Sequence, residues 1–214
     1  AQRPNTPGAP ELNADTPLLN DLQRQMTALR EGAGDSIDIL LDMNFNFKTE
    51  GYLRVIRALK QFNLLWFELD LFNPEALAYI RQQGNETIAS CESLYGHREF
   101  RRYFEAQSMD VAIVDIPWNG AWQSYKIAAM ADAYETNVAP HNFYGHLCTM
   151  MSAHLCAAIP NFRIMEIDVD DVPWRDDLVT HVPLIENGML TIPDRPGWGT
   201  DINEEAIAAH PIIR

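Results

Sequence analysis

Six acidic or imidazole side chains recur at nearly equal intervals along the chain, each at the end of an apolar run. The intervals are 26, 24, 23, 26 and 25 residues. Carboxylates can bind a cation, and a carboxylate paired with an imidazole can transfer protons. An interval of about 25 residues accommodates one strand, one helix and two short loops. We call these six side chains the ladder: Asp42, Glu68, Glu92, Asp115, His141 and Glu166.

The first three ladder residues are all carboxylates, and this favours a cation site. If three successive parallel strands end in Asp42, Glu68 and Glu92, their side chains converge at one end of the sheet. Three anions close together would repel strongly without a cation among them. Oxygen ligands that leave positions open for water or substrate suit Mg²⁺ better than Zn²⁺. The alternative is that each carboxylate caps the helix that follows it.

Asp115 and His141 end two later strands, where an acid–imidazole pair could form. A carboxylate that accepts a hydrogen bond from an imidazole fixes its tautomer and raises the basicity of the other ring nitrogen. We therefore expect His141 to act as a general acid or base with Asp115 as its partner, although a strand-end histidine can also be structural. Glu166, if protonated, could hydrogen-bond a developing oxyanion; otherwise it is one more solvated acid.

Three residues near the ladder could contact a substrate. Asn44 follows Asp42 by two residues, so on a strand it would point the same way and could donate to a ligand oxygen. Trp118 and Tyr144 follow two ladder strands and could either line a pocket or belong to the core. The other histidines have no comparable placement: His97, His146, His154, His181 and His210.

The segments that carry the ladder predict a strict alternation of helix and strand. Apolar runs predict strands at about 37–43, 64–69, 86–90, 111–115, 137–140 and 162–167. Helical periodicity lies between them, at about 49–62, 74–83, 97–107, 120–135 and 145–158, and also between Pro17 and Gly32. The first strand is apolar on both faces, as a buried parallel strand should be. Alternation without hairpins implies a parallel sheet with right-handed crossovers.

Two flanking regions depart from this alternation. Residues 1–16 have no periodic apolar pattern and predict a loop. Residues 170–214 are rich in proline and glycine, and predict a hairpin at Asn187-Gly188 followed by a loop and a short helix. A closed barrel needs about eight strands, so six strands predict either an open sheet or the later part of a barrel.

The composition excludes several classes of function. The chain has 30 acidic and 16 basic residues and a net charge of −14, which argues against nucleic acid as a partner. No apolar run is long enough to span a membrane, and no basic start with an apolar stretch indicates a signal peptide. The odd count of cysteines without metal-ligand spacing predicts reduced thiols and a cytoplasmic protein.

The ladder and its surroundings resemble the enolase superfamily, specifically its mandelate racemase subgroup, over about residues 15–210. The family's three strand-end Mg²⁺ ligands are matched in order and spacing by Asp42 in DMN, Glu68 in FELD and Glu92 in SCES. Its Asp–His pair and last-strand glutamate are matched by Asp115, His141 and Glu166. The DRPGWG stretch in the tail is also similar to the subgroup's C-terminal segment.

This resemblance implies an α/β fold, a TIM-like (β/α)7β barrel of which the chain carries about six βα units. It also implies a first step in which Mg²⁺ holds the carboxylate of a 2-hydroxy acid while a base removes the α proton, giving an enediolate. In the subgroup's acid-sugar dehydratases a general acid then expels the 3-hydroxyl group, and the product is a 2-keto-3-deoxy acid. His141 with Asp115 would be that acid, and NVAPHNFYGH is more similar to the dehydratases than to the cycloisomerases.

We therefore expect Mg²⁺-dependent dehydration of an aldonate or aldarate. Racemisation or epimerisation of a 2-hydroxy acid at the same site is the nearest alternative. A non-catalytic member of the family, which keeps the fold without the chemistry, is the third.

The chain departs from the family in one large respect. The family carries a Lys-x-Lys motif on the strand before the one that ends in Asp42, and a capping domain before that; neither has a counterpart here. The only lysines are Lys48, Lys60 and Lys126. We expect a preceding N-terminal portion and further copies of the chain as partners beside a sugar-acid substrate, and neither stability nor activity of these residues alone. The expected division is a continuing loop at 1–16, a partial barrel at 17–169 and a C-terminal extension packed outside the barrel at 170–214.

Overall fold

A computed structural model describes residues 12–169 and 172–211 of the chain. Its helices are α1 (Thr16–Ala33), α2 (Thr49–Leu59), α3 (Pro74–Gly84), α4 (Gly96–Glu105), α5 (Ile116–Ala133), α6 (His146–Ala158) and α7 (Glu204–Ala209). Its strands are β1 (Leu40–Asp42), β2 (Trp66–Glu68), β3 (Ile88–Ser90), β4 (Val111–Asp115), β5 (Asn137–His141), β6 (Ile185–Glu186) and β7 (Met189–Leu190). Short 3-10 helices lie at Lys60–Phe62 and Arg175–Leu178.

The first five strands belong to one sheet in the order β1-β2-β3-β4-β5. The pairs β1–β2, β2–β3 and β3–β4 are parallel, and a helix follows each of these strands. The α/β class and the alternation expected from the apolar runs are therefore confirmed.

The chain divides into two compact units. The first runs to Leu94 and also includes Arg98–Ala112, so it contains β1 to β3 and the beginning of β4. The second comprises Tyr95–His97 and the residues from Ile113 onward, so it contains the end of β4, β5 and the C-terminal segment. The three predicted cation ligands fall in the first unit, whereas Asp115, His141 and Glu166 fall in the second.

Side-chain caps set the starts of several helices. The Asp15 carboxylate accepts a hydrogen bond from Leu18 N at 3.0 Å, and the Asn73 side chain accepts one from Ala76 N at 2.8 Å. In both helices a proline occupies the first turn, where its missing N–H costs nothing. The helix predicted at about 74–83 continues to Gly84, and its cap is Asn85 in the left-handed conformation, with φ 52°.

The first strand is not buried as its apolar run predicted. Ile37 is 57% exposed and lies before β1, and Leu40 within the strand is 37% exposed. The reason is position: β1 is the edge of the sheet and, within residues 12–169 and 172–211, pairs with β2 alone. The prediction of a strand buried on both faces was therefore wrong here, whereas β3 and β4 are buried throughout.

The strand predicted at 162–167 is reduced to one parallel bridge between Val138 and Phe162. Val138 N donates to Asn161 O at 2.8 Å, and Arg163 N donates to Val138 O at 2.8 Å. A parallel ladder would continue with a donor at residue 140, but Pro140 has no N–H. The ladder therefore stops after one repeat, although Glu166 N still reaches Pro140 O at 3.4 Å.

The C-terminal segment has the predicted hairpin and short helix. Strands β6 and β7 pair antiparallel around Asn187 and Gly188, whose φ angles of 51° and 75° suit a two-residue turn. The predicted loop at 1–16 lies mostly outside the described residues, and its last residue, Thr16, already begins α1. Across the part of the chain that the structure describes, every helix is too short or too polar to cross a membrane.

Candidate active site

Two of the predicted cation ligands face each other across β1 and β2. The parallel register pairs Asp42 with Glu68, both at the last position of their strands. Register partners on parallel strands point their side chains to the same face, so both carboxylates belong to the same face at this end of the sheet. Trp66 Nε1 donates to Glu68 Oε2 at 3.4 Å, on the same side of β2.

The Asp42 carboxylate is held by the turn that follows it. Its Oδ1 accepts from Asn44 N and its Oδ2 from Asn44 Nδ2, each at 2.7 Å. Asn44 lies beyond β1 in the left-handed conformation, with φ 48°, so the premise that it continues the strand beside Asp42 was wrong. Its amide nevertheless lies at the predicted site, and substrate contact by Asn44 stays a prediction.

Glu92 lies two residues beyond β3, within a turn in which Leu94 N donates to Cys91 O at 3.1 Å. Within residues 12–169 and 172–211, no group of three or more Asp, Glu, His or Cys side chains is arranged to hold a metal ion. The donor set still fits Mg²⁺ chemically, because all three residues offer only oxygens and two of them are register partners. The assignment of Asp42, Glu68 and Glu92 as metal ligands stays a prediction.

Asp70 is a buried acid near these carboxylates that sequence reasoning missed. It is 4% exposed, and its Oδ1 accepts from Ser90 Oγ at 3.0 Å and from Cys91 N at 2.8 Å. Burial raises the pKa of the Asp70 carboxyl, while the hydrogen bond from Cys91 N and the one from Ser90 lower it. The available signal was an acid placed between Leu69 and Leu71, directly after β2 in an otherwise apolar run.

The second unit contains the predicted acid–imidazole pair. His141 Nδ1 lies 2.8 Å from Asp115 Oδ2, at the ends of β5 and β4. An ionised carboxylate can only accept, so Nδ1 carries the hydrogen and Nε2 is the ring nitrogen that can exchange a proton with another molecule. Asp115 is 1% exposed and the His141 side chain is 20% exposed, so the acid is buried behind the imidazole.

Tyr144 is a third member of this cluster. Its hydroxyl donates to Asp115 Oδ2 at 2.6 Å, and its ring meets the His141 ring edge-on with centroids 5.4 Å apart. Burial raises the pKa of the Tyr144 phenol, and the hydrogen bond to Asp115 raises it further. The core alternative for Tyr144 is therefore wrong: it touches the acid–imidazole pair, whereas its substrate contact stays a prediction.

Glu166 lies near His141 without a hydrogen bond to it. The distance from His141 Nε2 to Glu166 Oε2 is 3.9 Å, beyond hydrogen-bond range. The same Oε2 accepts from Asn142 N at 2.8 Å, and Asn142 Nδ2 donates to the Glu166 backbone oxygen at 3.0 Å. These two bonds from a fully buried Asn142 hold Glu166 beside the imidazole, and its proposed oxyanion role stays a prediction.

Trp118 lies in the first turn of α5 rather than in the core. Its side chain is 45% exposed and stacks on Tyr95, with ring centroids 5.1 Å apart. Trp118 N donates to Asp115 Oδ1 at 2.8 Å, so the Asp115 carboxylate also caps α5. An exposed aromatic pair beside the acid–imidazole cluster is compatible with a pocket wall, and substrate contact by Trp118 stays a prediction.

A family model described as enolase C-terminal domain-like matches residues 12–206. The chain belongs to this family. The resemblance inferred from the ladder is therefore confirmed, and the fold is that of the TIM-barrel-like C-terminal domain of the enolase superfamily.

Similar proteins in the superfamily are named for sugar-acid dehydration and for epimerisation. D-xylonate dehydratase from Haloferax volcanii is 32% identical over 86% of this chain and 46% of its own length. L-talarate/galactarate dehydratase from Salmonella typhimurium is 28% identical over 95% of this chain and 50% of its own. A protein from Burkholderia xenovorans with a proposed L-alanine-DL-glutamate epimerase activity was solved with magnesium and fumarate. It is 57% identical over 96% of this chain and 51% of that chain, with a TM-score of 0.93. The chain thus spans about half the length of these relatives.

Tyr144→Phe in this enolase-family chain tests whether the phenol tunes the acid–imidazole pair. The ring packing against His141 is kept, while the 2.6 Å hydrogen bond to Asp115 is lost. Without that donor, more of the negative charge of Asp115 acts on the imidazole, so His141 should gain its proton at a higher pH. Glu166, the other acid that faces the ring, is unchanged by the substitution. We expect an unfolding free energy lower by about 1–2 kcal/mol. NMR titration of the imidazole checks the pH shift, with Tyr125→Phe as control; an unchanged titration would contradict it.

Alkaline pH should destabilise this chain through two tyrosines. Burial raises the pKa of Tyr103, whose hydroxyl donates to Leu71 O at 2.9 Å, and burial likewise raises the pKa of Tyr144. For both tyrosines the pKa in the folded chain lies above the unfolded value of 10.0. The stability that this difference contributes is fully present below pH 10.0 and is lost as the pH rises through the folded pKa. Urea unfolding at rising alkaline pH should show this loss, and Tyr103→Phe should reduce its slope. A flat profile above the unfolded value would refute the assignment.

Proposed function

We propose that the protein that contains this chain is a Mg²⁺-dependent dehydratase of a sugar acid, an aldonate or aldarate. The reaction removes the proton α to the substrate carboxylate and expels the 3-hydroxyl group as water, leaving a 2-keto-3-deoxy acid. The observation that carries this proposal is the 2.8 Å contact between His141 Nδ1 and Asp115 Oδ2. The dehydratase names of several relatives support the reaction class.

His141 takes the α proton at Nε2 as general base and then, as general acid, delivers it to the 3-hydroxyl oxygen, which leaves as water. The resulting enol tautomerises to the 2-keto-3-deoxy acid. Asp115 orients the imidazole and stabilises its protonated form, so that Nε2 can deliver a proton to the leaving oxygen. The remaining Asp115 bonds, to Tyr144 and to Trp118 N, fix the carboxylate in one orientation. An acid–imidazole pair with a fixed, buried carboxylate needs little reorganisation during the reaction, and a positioned acid contributes roughly 10²–10⁴ in rate.

Asp42, Glu68 and Glu92 are the residues that would hold the cation. When bound, Mg²⁺ supplies positive charge that binds a substrate carboxylate and stabilises the negative charge that develops beside it. The register pairing of Asp42 with Glu68 supports two of the three ligands. Both oxygens of Asp42 accept one hydrogen bond each from Asn44, which orients the carboxylate and leaves a second lone pair on each oxygen for a cation.

Epimerisation by the same residues is the second candidate. It is favoured by the 57% identity to the Burkholderia xenovorans protein with a proposed epimerase activity. An epimerase would use His141 to return a proton to the α carbon instead of expelling a hydroxyl group. Carbon-bound hydrogen exchange without a keto product would distinguish it from a dehydratase.

The test is incubation of the intact protein with a library of aldonic and aldaric acids and an L-alanine–glutamate dipeptide, with and without Mg²⁺. A semicarbazide-reactive product, formed only with Mg²⁺, supports dehydration. Incorporation of deuterium from D₂O with inversion and no keto acid supports epimerisation instead. Turnover of neither class would favour a non-catalytic member of the family. The homo-oligomer, the preceding N-terminal portion and the cytoplasmic location stay predictions of the sequence.

A further inference from the structure

Asp70 connects the turn after β2 to the turn after β3. Its Oδ1 accepts from Ser90 Oγ and from Cys91 N, at 3.0 and 2.8 Å. Cys91 has a φ of 96°, a conformation that a side chain disfavours, and it directly precedes Glu92. The bond to Asp70 therefore holds the backbone at the position where the chain turns to present Glu92.

The same residue also connects to the turn after β1. Asp70 N donates to Asn44 O at 3.2 Å, and the Tyr52 hydroxyl donates to Asn44 O at 2.5 Å and to Asp70 O at 3.4 Å. Tyr52 lies in α2 and is fully buried, so its hydroxyl has a fixed position. Asn44 in turn donates twice to the Asp42 carboxylate.

Three turns are thus joined at one buried residue, two of them through its carboxylate and the third through its backbone. Each carries or directly follows one of the predicted cation ligands, Asp42, Glu68 and Glu92. Asp70 does not itself face an open site, because it is 4% exposed and its Oδ1 already accepts two hydrogen bonds. Buried partners of this kind orient ligating side chains without touching the cation, and their loss typically lowers affinity 10- to 100-fold.

We propose that Asp70 is a positioning residue: its carboxylate holds the turn after β3 against the turn after β2, whose backbone is bonded to the turn after β1, so that the carboxylates of the three turns can bind one divalent cation. The cation itself rests on the proposed function, whereas the coupling of the turns rests on the hydrogen bonds alone. Asp70 acts through its acceptor oxygen, so an asparagine, which keeps a carbonyl oxygen, retains much of the effect.

The experiment compares Asp70→Ala, Asp70→Asn and the control Ser108→Ala in the intact protein. Ser108 is also fully buried in the first unit, but its hydroxyl bonds to Tyr103 O and Met109 Sδ and not to the three turns. Hydrogen exchange is followed in peptides that cover 42–46 and 90–94, and Mg²⁺ affinity is measured by direct titration. Asp70→Ala should lose exchange protection in 90–94, because its carboxylate accepts from Ser90 and Cys91 N, and should keep it in 42–46, which the backbone of residue 70 holds. The Kd for Mg²⁺ should rise at least about tenfold. Ser108→Ala should change neither, and Asp70→Asn should recover most of both.

Unchanged exchange in Asp70→Ala overturns the proposal, whether or not the protein binds Mg²⁺. If the unmodified protein binds no Mg²⁺ at all, the proposed function fails while the exchange result still decides the role of Asp70. Normal exchange with lost affinity in Asp70→Asn would make Asp70 a ligand and would also overturn the proposal. If Asp70→Ala does not fold, two other variants test the network. Ser90→Ala removes its bond to Asp70 and should loosen 90–94, and Tyr52→Phe removes the bonds to Asn44 O and Asp70 O and should loosen 42–46.

Discussion

His141→Asn abolishes turnover and leaves Mg²⁺ affinity nearly unchanged; this is the largest effect that we expect. Asparagine can still fill the space beside Asp115, but it cannot exchange a proton at the position of Nε2. Loss of a positioned general acid costs roughly 10²–10⁴ in rate. The predicted cation ligands lie in the other unit of the chain, so the substitution removes no donor from them.

Steady-state kinetics on the best substrate of the library and a Mg²⁺ titration check this result together. His181→Asn is a matched control, because His181 is exposed and contacts only Thr180 through its ring. A His141→Asn protein that retains wild-type turnover would place the proton-transfer chemistry elsewhere. A large loss of Mg²⁺ affinity would show that the change disturbs more than the acid.

Glu68→Gln gives the second large effect, a Kd for Mg²⁺ raised at least about tenfold. Glutamine has nearly the same shape, and its carbonyl oxygen can still accept from Trp66 Nε1. It removes one negative charge from a pair of register partners, and a hard cation binds a neutral amide less strongly than a carboxylate. Turnover at low Mg²⁺ should fall and recover in part as the concentration rises.

Isothermal titration gives the affinity directly, and Glu75→Gln, an exposed acid in the first turn of α3, controls for a general loss of negative charge. Equal Mg²⁺ affinities of Glu68→Gln and the unmodified protein would remove Glu68 from the ligand set. If both Glu68→Gln and His141→Asn keep wild-type activity, the active site lies elsewhere.

The repeat of the ladder was predictable because each element is specified locally. Apolar runs define the strands, caps such as Asp15 and Asn73 define the helix starts, and parallel strands must place their last residues at one end of the sheet. The contact between Asp115 and His141 follows from this regularity, and the structure has it at 2.8 Å.

What the sequence missed depends on burial and on backbone details that periodicity does not encode. In the sequence FELDLF nothing distinguishes Asp70 from an acid at the surface. Its burial is visible only in the structure. Tyr144 could not be assigned to core or pocket until its hydroxyl was seen on Asp115. The length of the strand after α6 was overestimated, because the residues of that segment suit a strand. The obstacle is the missing N–H of Pro140, which lies on the neighbouring strand β5.

Asp115 couples two properties that protein engineers usually vary separately. One oxygen caps α5 through Trp118 N, and the other accepts from His141 and Tyr144. A loss of activity in an Asp115 variant would therefore not by itself report on chemistry, because loss of the cap alone costs about 1 kcal/mol of folding stability. Selection for thermostability and selection for turnover both act on this one carboxylate, so any substitution at Asp115 changes both properties. Improved variants of the protein should accumulate changes around Asp115 and retain the residue itself.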